Sequence, residues 1–325
     1  MAVQSKLVTG QNKPMAGIKA FNNLIGSQLM KAKIYQMVGS TDAQEFITSI
    51  TSAVNTNPAL AECDAQSIIS AALLGQSLHL KPSPQLGYFY MVPYKRKAKY
   101  DYKTKQLISP EKTEAQFQLG YKGYLQLAIR TGEYIDIDAI EIKQGEYKGR
   151  NKYTGRPEFE FIEDDEVREN LPTVGYMSYF EMKNGYIKRL YWSKEKMERH
   201  ADKYSQAFSL VKYKELVAGQ IPENELWKYS SFWYKNFDEM AKKTMLRQLL
   251  SKHGLLSTEM QKAVEADQAV ITPDLKPEYV DNVVEVQHEE TVNQIKESVG
   301  TKVPDMTVEN KQEEINFDDF DPMAM

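Results

Sequence analysis

The run from Tyr94 to Lys105 (YKRKAKYDYKTK) sets six cations and three tyrosines against one acid. Cationic side chains contact phosphates, and tyrosine faces stack on bases without regard to sequence. The chemistry offered is polyanion binding with a taste for single strands. In extended backbone Lys95, Lys97 and Lys99 share one side. A solvated hairpin edge also carries lysines, to discourage edge-to-edge pairing, and the charge pattern alone fits both readings. A second set follows two residues that could touch bases, Phe117 and Gln118: Lys122, Gln126 and Arg130, each four apart on one helix face. A third set, Lys235, Lys242, Lys243, Arg247 and Lys252, faces only Asp238 and Glu239 nearby in sequence, with Lys243 and Arg247 on one face. Each helical set is also what an ordinary solvated face shows.

Covalent chemistry finds little support. No G-x-x-x-x-G-K-[ST] loop occurs, and Gly120-Tyr121-Lys122-Gly123 is too short to cradle phosphates. No G-x-S-x-G elbow occurs. Cys63 is the single cysteine and the four histidines are scattered, so no cysteine-based zinc site is expected. The acidic run Glu163–Glu166, with Asp138, Glu141 and Glu146 upstream, holds consecutive carboxylates that do not converge, and reads as a solvated hairpin loop. We expect no catalytic residues and no cofactor, with Mg2+ at most a modulator.

The elements must place these groups on one body. The chain has 325 residues, 42% of them hydrophobic, enough for a large core. Its net charge of −4 hides an asymmetry: residues 261–325 carry −11, leaving +7 on residues 1–260. Residues 1–41 hold five lysines and no acid. A basic body with an acidic tail suits polyanion binding. The lone cysteine fits a reducing compartment, the start has no apolar signal region and no 18-residue apolar window exists, so a cytoplasmic protein is expected.

Periodicity gives the elements. Residues 1–38 read as a flexible basic arm with one short helix. Thr41 and Gln44 have capping-box spacing before Phe46, Ile47, Ile50 and Val54; Asn57-Pro58 stops that helix and Asp64 caps the next. Residues 86–100 and 114–119 read as strands around a long hairpin tip, 101–113. Tyr121, Tyr124, Leu125, Ala128 and Ile129 mark a helix ended by Gly132. Residues 134–143 and 158–162 alternate, and 173–182 and 186–192 flank Lys183-Asn184-Gly185, a hairpin turn. Ser193 opens a helix to Tyr204, and a long helix spans Phe232–His253. Beyond residue 266 the acidic composition reads as disorder. The fold class is α+β: a small antiparallel sheet with a hairpin and packed helices, core 39–266, tail 267–325.

Three stretches together resemble the RecT family of phage single-strand annealing proteins. The first runs from Asn57-Pro58-x-Leu60-x-x-Cys63 through Ser67-Ile68-Ile69 to Leu86-Gly87-Tyr88. The second is Val92-Pro93-Tyr94-Lys95, then Ala115–Tyr124 (AQFQLGYKGY) and Arg130-Thr131-Gly132. The third is Met240-Ala241-x-Lys243-Thr244-x-x-Arg247. The resemblance covers roughly residues 40–260, and its middle motif is the most specific. It implies ATP-independent binding and annealing of single-stranded DNA in recombination, on an annealing-ring-like fold with a central helix across the sheet. It further implies a homo-oligomeric ring or filament, a phage exonuclease and a host single-strand-binding protein as partners, and one groove holding single strand and annealed duplex. On that reading Tyr94, Lys95, Lys97, Lys99, Phe117, Gln118, Lys122, Gln126, Arg130, Lys242, Lys243 and Arg247 line the groove. The 101–113 loop is longer than the family's usual hairpin, which sets Lys103 and Lys105 aside as surface decoration, and the tail lies outside the family pattern. Two other classes stay open: an oligomeric DNA-binding scaffold that does not anneal, and a metal-dependent nuclease.

Overall fold

The computed structural model describes residues 16–101, 104–205 and 207–279. The expected arm is a correction: α1 (Ala16–Gly26) and α2 (Gln28–Val38) are helices that bury Phe21, Ile25, Met30 and Ile34. These are two i, i+4 pairs, a short apolar stripe that the surrounding Gly, Asn and Lys disguise. Residues 1–15 of the arm lie outside the described residues. In α3 (Ser40–Thr56), Phe46, Ile50 and Val54 are buried as their spacing requires, but no capping box forms; Gly39, at φ 87°, precedes the helix. Asp64 does cap α4 (Ala65–Ser77), accepting from the Ser67 N–H at 3.2 Å. Every residue from Ser67 to Gly75 is buried. At Gly75 a Cβ would fall 2.2 Å from the Phe89 ring, so only glycine lets that ring lie on the helix.

β1 (Phe89–Arg96) leads into β2 (Lys99–Tyr100), at the end of the expected strand 86–100, and β3 (Leu107–Ser109), a strand within the expected hairpin tip 101–113, then into β4 (Lys112–Leu119) and α5 (Tyr121–Ile129). β5 (Tyr134–Lys143) is followed by an excursion of β6 (Tyr147–Arg150), β7 (Pro157–Phe159) and α6 (Asp165–Glu169). The alternation at 158–162 yields strand only to Phe159, and the acidic run is not a loop: Asp164 caps α6, accepting from the Val167 N–H. Buried Glu146 pins the excursion, accepting from Arg168 Nε at 2.6 Å and from the Lys143 N–H at 2.8 Å. Next come β8 (Thr173–Met182), β9 (Ile187–Ser193), α7 (Lys194–Tyr204) and α8 (Leu210–Val217). The long helix breaks at Asn236 into α9 (Phe232–Lys235) and α10 (Phe237–His253). α11 (Thr258–Ala266), β10 (Ala269–Ile271) and β11 (Pro277–Glu278) end the described chain.

Among the described residues the two larger antiparallel sheets are ordered β1-β4-β10-β11 and β5-β8-β9, beside the two-stranded ribbons β2-β3 and β6-β7. In the first, Phe89, Met91, Ala115, Phe117 and Leu119 are buried, and α4 packs against β1, β4 and β10. Pairing of Tyr90 with Gln118 and Tyr94 with Glu114 puts those four on the opposite face. α10 packs across all three strands of the second sheet, with Ser178 Oγ donating to the Met245 carbonyl at 3.0 Å. The α+β class with small antiparallel sheets is as expected. The tail boundary is corrected: Asp267 is fully buried and Ala269, Val270 and Ile271 are core residues, since β10 pairs with β4. Residues 280–325 lie outside the described residues. Among the described residues no helix is long and apolar enough to cross a membrane.

Candidate nucleic-acid interface

Ion pairing sorts the expected cations into two groups. Lys95 is exposed but lies 2.7 Å from Glu111. Lys242 sits 2.6 Å from Glu239 and 3.6 Å from Glu141. Arg130, at the end of α5, donates from Nη1 to the Leu78 carbonyl (2.9 Å) and from Nη2 to the His79 carbonyl (2.7 Å). These carbonyls end α4, so Arg130 is a helix C-terminal clamp. Phe117 is fully buried and stacks on Phe89 at 5.0 Å, which removes it from any DNA surface. Gln118 faces away from the core, within reach of Gln116 at 3.5 Å; Gln126 is half-buried on α5. Tyr94 is half-buried on β1, and Lys99 lies in β2.

Arg247 belongs to a buried knot. The Asp267 carboxylate accepts from the Leu119 N–H at 2.9 Å and from the Tyr124 hydroxyl at 2.8 Å, and lies 3.3 Å from Arg247 Nε. Four elements meet there: β4, α5, α10 and the α11–β10 link. Burial, then the charge of Asp267, push the Tyr124 hydroxyl well above its usual pKa. The knot stayed hidden from sequence reading because Asp267 falls on the first residue of the expected tail.

Lys97, Lys122 and Lys243 form no ion pair with a described carboxylate, although Lys97 and Lys122 are exposed and Lys243 lies one turn from Arg247. Burial lowers the Lys243 ammonium from its usual value, opposed by the charge of Asp267 and reinforced by that of Arg247.

The structure adds a cationic surface that sequence reading missed, between α7, β6 and the C-terminal half of α10. Its members, Arg150, Lys196, Arg199, Lys203 and Lys252, have no ion-pair partner among the described residues. Burial, then the charges of Lys252, Arg150 and Arg199, lower Lys196. Burial, then Arg247, Lys196, Lys252 and Lys203, bring His200 down to about 4. Like charges gathered in this way raise the local positive potential. α7 offered a signal, four cations from Lys194 to Lys203, but only the tertiary fold brings Lys252 and Arg247 beside them. Among the described residues no group of three or more His, Cys, Asp or Glu side chains is placed to hold a metal.

The chain is 38% identical over 233 residues to the uncharacterized protein YqaK of Bacillus subtilis, a match covering 71% of this chain and 66% of that protein, just under two thirds. It is 26% identical over 233 residues to Protein RecT of Escherichia coli, covering 70% of this chain and 71% of that protein. The profile of the RecT family matches residues 44–312, well over half the chain and across α10, the Asp267 knot and both sheets, so the chain belongs to the RecT family.

Proposed function

We propose that the chain binds single-stranded DNA on the unpaired cations of α7 and α10 and anneals complementary strands without hydrolysing a nucleotide. One observation carries the reading: Lys196, Arg199, Lys203 and Lys252 lie together beside His200 with no ion-pair partner among the described residues, whereas Lys95 and Lys242 are each paired with a glutamate. Fixed cations of this kind lower the repulsion between two phosphate backbones and release counterions on binding. Lys97, Lys122 and Lys243 are further cations without an ion pair to a described carboxylate, and they offer additional phosphate contacts. No covalent step is required of any residue. Copies arranged as a ring or filament align many such surfaces, and weak contacts per nucleotide sum to avidity. The proposal includes a cytoplasmic site of action, a phage exonuclease supplying the strand, a host single-strand-binding protein nearby, and Mg2+ modulating annealing.

The test is annealing of two complementary labelled oligonucleotides without ATP, at low and high salt. Acceleration over the spontaneous rate, lost at high salt and reduced in Lys196→Gln/Arg199→Gln, is the expected result. Binding without acceleration would replace the annealing reading with a scaffold. Metal-dependent loss of labelled DNA would replace it with a nuclease.

A further inference from the structure

A cavity of about 540 Å³ opens between β6, β9 and the start of α7, within the ~300–1,000 Å³ range of small-ligand pockets. Two rings floor it: Tyr147 stacks on Tyr191 with centroids 4.4 Å apart and planes 22° from parallel. The floor is built by the fold. A Cβ at Gly175, on the neighbouring strand β8, would fall 2.5 Å from the Tyr191 ring, so that ring lies flat on the sheet only over glycine. Phe159 meets the edge of Tyr191 at 5.5 Å and fixes the stack from the side. Neither tyrosine hydroxyl bonds to a described residue, and both rings are half-buried rather than sealed in core. Arg150 and Lys196 line the same cavity, are exposed, and have no described carboxylate as ion-pair partner; Glu195 lines it too, so the cavity sets two cations against one acid. Lys196 Nζ stands 4.4 Å over the Trp192 ring, which holds the ammonium at the rim.

We propose that this cavity holds one nucleotide of a single strand, its base extending the Tyr147–Tyr191 stack and its phosphate lying between Arg150 and Lys196. A flat aromatic pair takes any base face, and two cations take a phosphate. A paired duplex covers both base faces, so the site selects single strand over duplex and ignores base identity. It fixes where along the cationic surface a base is held, which the reading of the chain as a single-strand binder, on which this rests, leaves open.

The experiment uses the full chain and an oligothymidylate carrying 5-iododeoxyuridine, irradiated and analysed by peptide mass spectrometry, with affinity measured in parallel. Cross-links on Tyr147 or Tyr191 are expected. Arg150→Gln/Lys196→Gln should reduce those cross-links, weaken binding about tenfold and lower the salt slope by about two. Tyr147→Leu, which keeps apolar cover on Tyr191 without a flat ring, should lose the cross-link while retaining the melting temperature. Cross-links confined to other peptides, with affinity unchanged in all variants, would overturn the site while leaving single-strand binding intact. No binding by the unmodified chain would overturn both, and the annealing assay would register that separately.

Discussion

Lys243 and Arg247 sit one turn apart on α10, yet their neighbours give them different work. Arg247 is 3.3 Å from a carboxylate with no solvent exposure, and Lys243 has no such partner. Removing one member of a buried pair strands the other charge, so Asp267→Asn should cost about 3 kcal/mol. Urea unfolding measures this, and a midpoint unmoved from the parent would show the knot to be idle. His200 supplies a pH prediction. Its folded pKa, about 4, lies below the ordinary 6.5, so the unfolded chain takes the proton first as pH falls. Its contribution to stability is complete above about 6.5 and is lost between there and about 4. Phosphates beside it would favour the imidazolium and raise its midpoint. An NMR titration of His200 with saturating oligonucleotide should show that rise, and an unmoved midpoint would place the strand elsewhere.

At the scale of elements, α5 joins the two sheets and carries cations of both kinds. Arg130 clamps the end of α4 through two carbonyls, whereas exposed Lys122 has no ion-pair partner among the described residues. Arg130→Ala should lower stability by roughly 1 kcal/mol, since a charged donor at an exposed site is partly replaced by water. Lys122→Ala should leave the melting temperature unchanged and lower the salt slope of DNA binding by about one. Thermal melts and salt titrations of the two variants separate the roles, and an exchange of the two phenotypes would refute the assignment. The lysines at the end of β1 are likewise divided: Lys95 is tied to Glu111, and Lys97, just beyond the strand, has no ion-pair partner among the described residues.

For the whole molecule, the acidic segment begins later than composition suggests. Residues 280–325 hold twelve acids and three lysines, a net of −9. They follow β11, where Glu278 lies 3.0 Å from Arg96 at the base of the basic ribbon. A polyanion tethered there competes with DNA for cations at high effective concentration. Truncation after Tyr279 should therefore tighten single-strand binding at low salt and matter little at high salt; equal affinity in both proteins would dismiss the competition. Truncation after Ala266 should instead unfold the core, because it removes Asp267 and β10. Circular dichroism of the two products decides between these outcomes.

The sequence by itself determined what local patterns can carry: the fold class, the strands 134–143 and 173–182, the helix opened by Ser193 and the family motifs. Hydrophobic period and turn chemistry act over a few residues, so they are legible there. It also marked residue types able to meet phosphate. Only the tertiary structure decided which of those cations are free. A lysine and its glutamate are found by packing, not by spacing, as Lys242 with Glu141 and Arg247 with Asp267 show. The same holds for Phe117, whose strand alternation leaves two faces equal until α4 covers one. Residues 16–38 and 267–279 were misjudged because composition averages over a window, while burial answers to a few apolar side chains meeting a distant partner. The cationic surface around His200 joins residues about fifty positions apart, a juxtaposition that long-range packing alone creates.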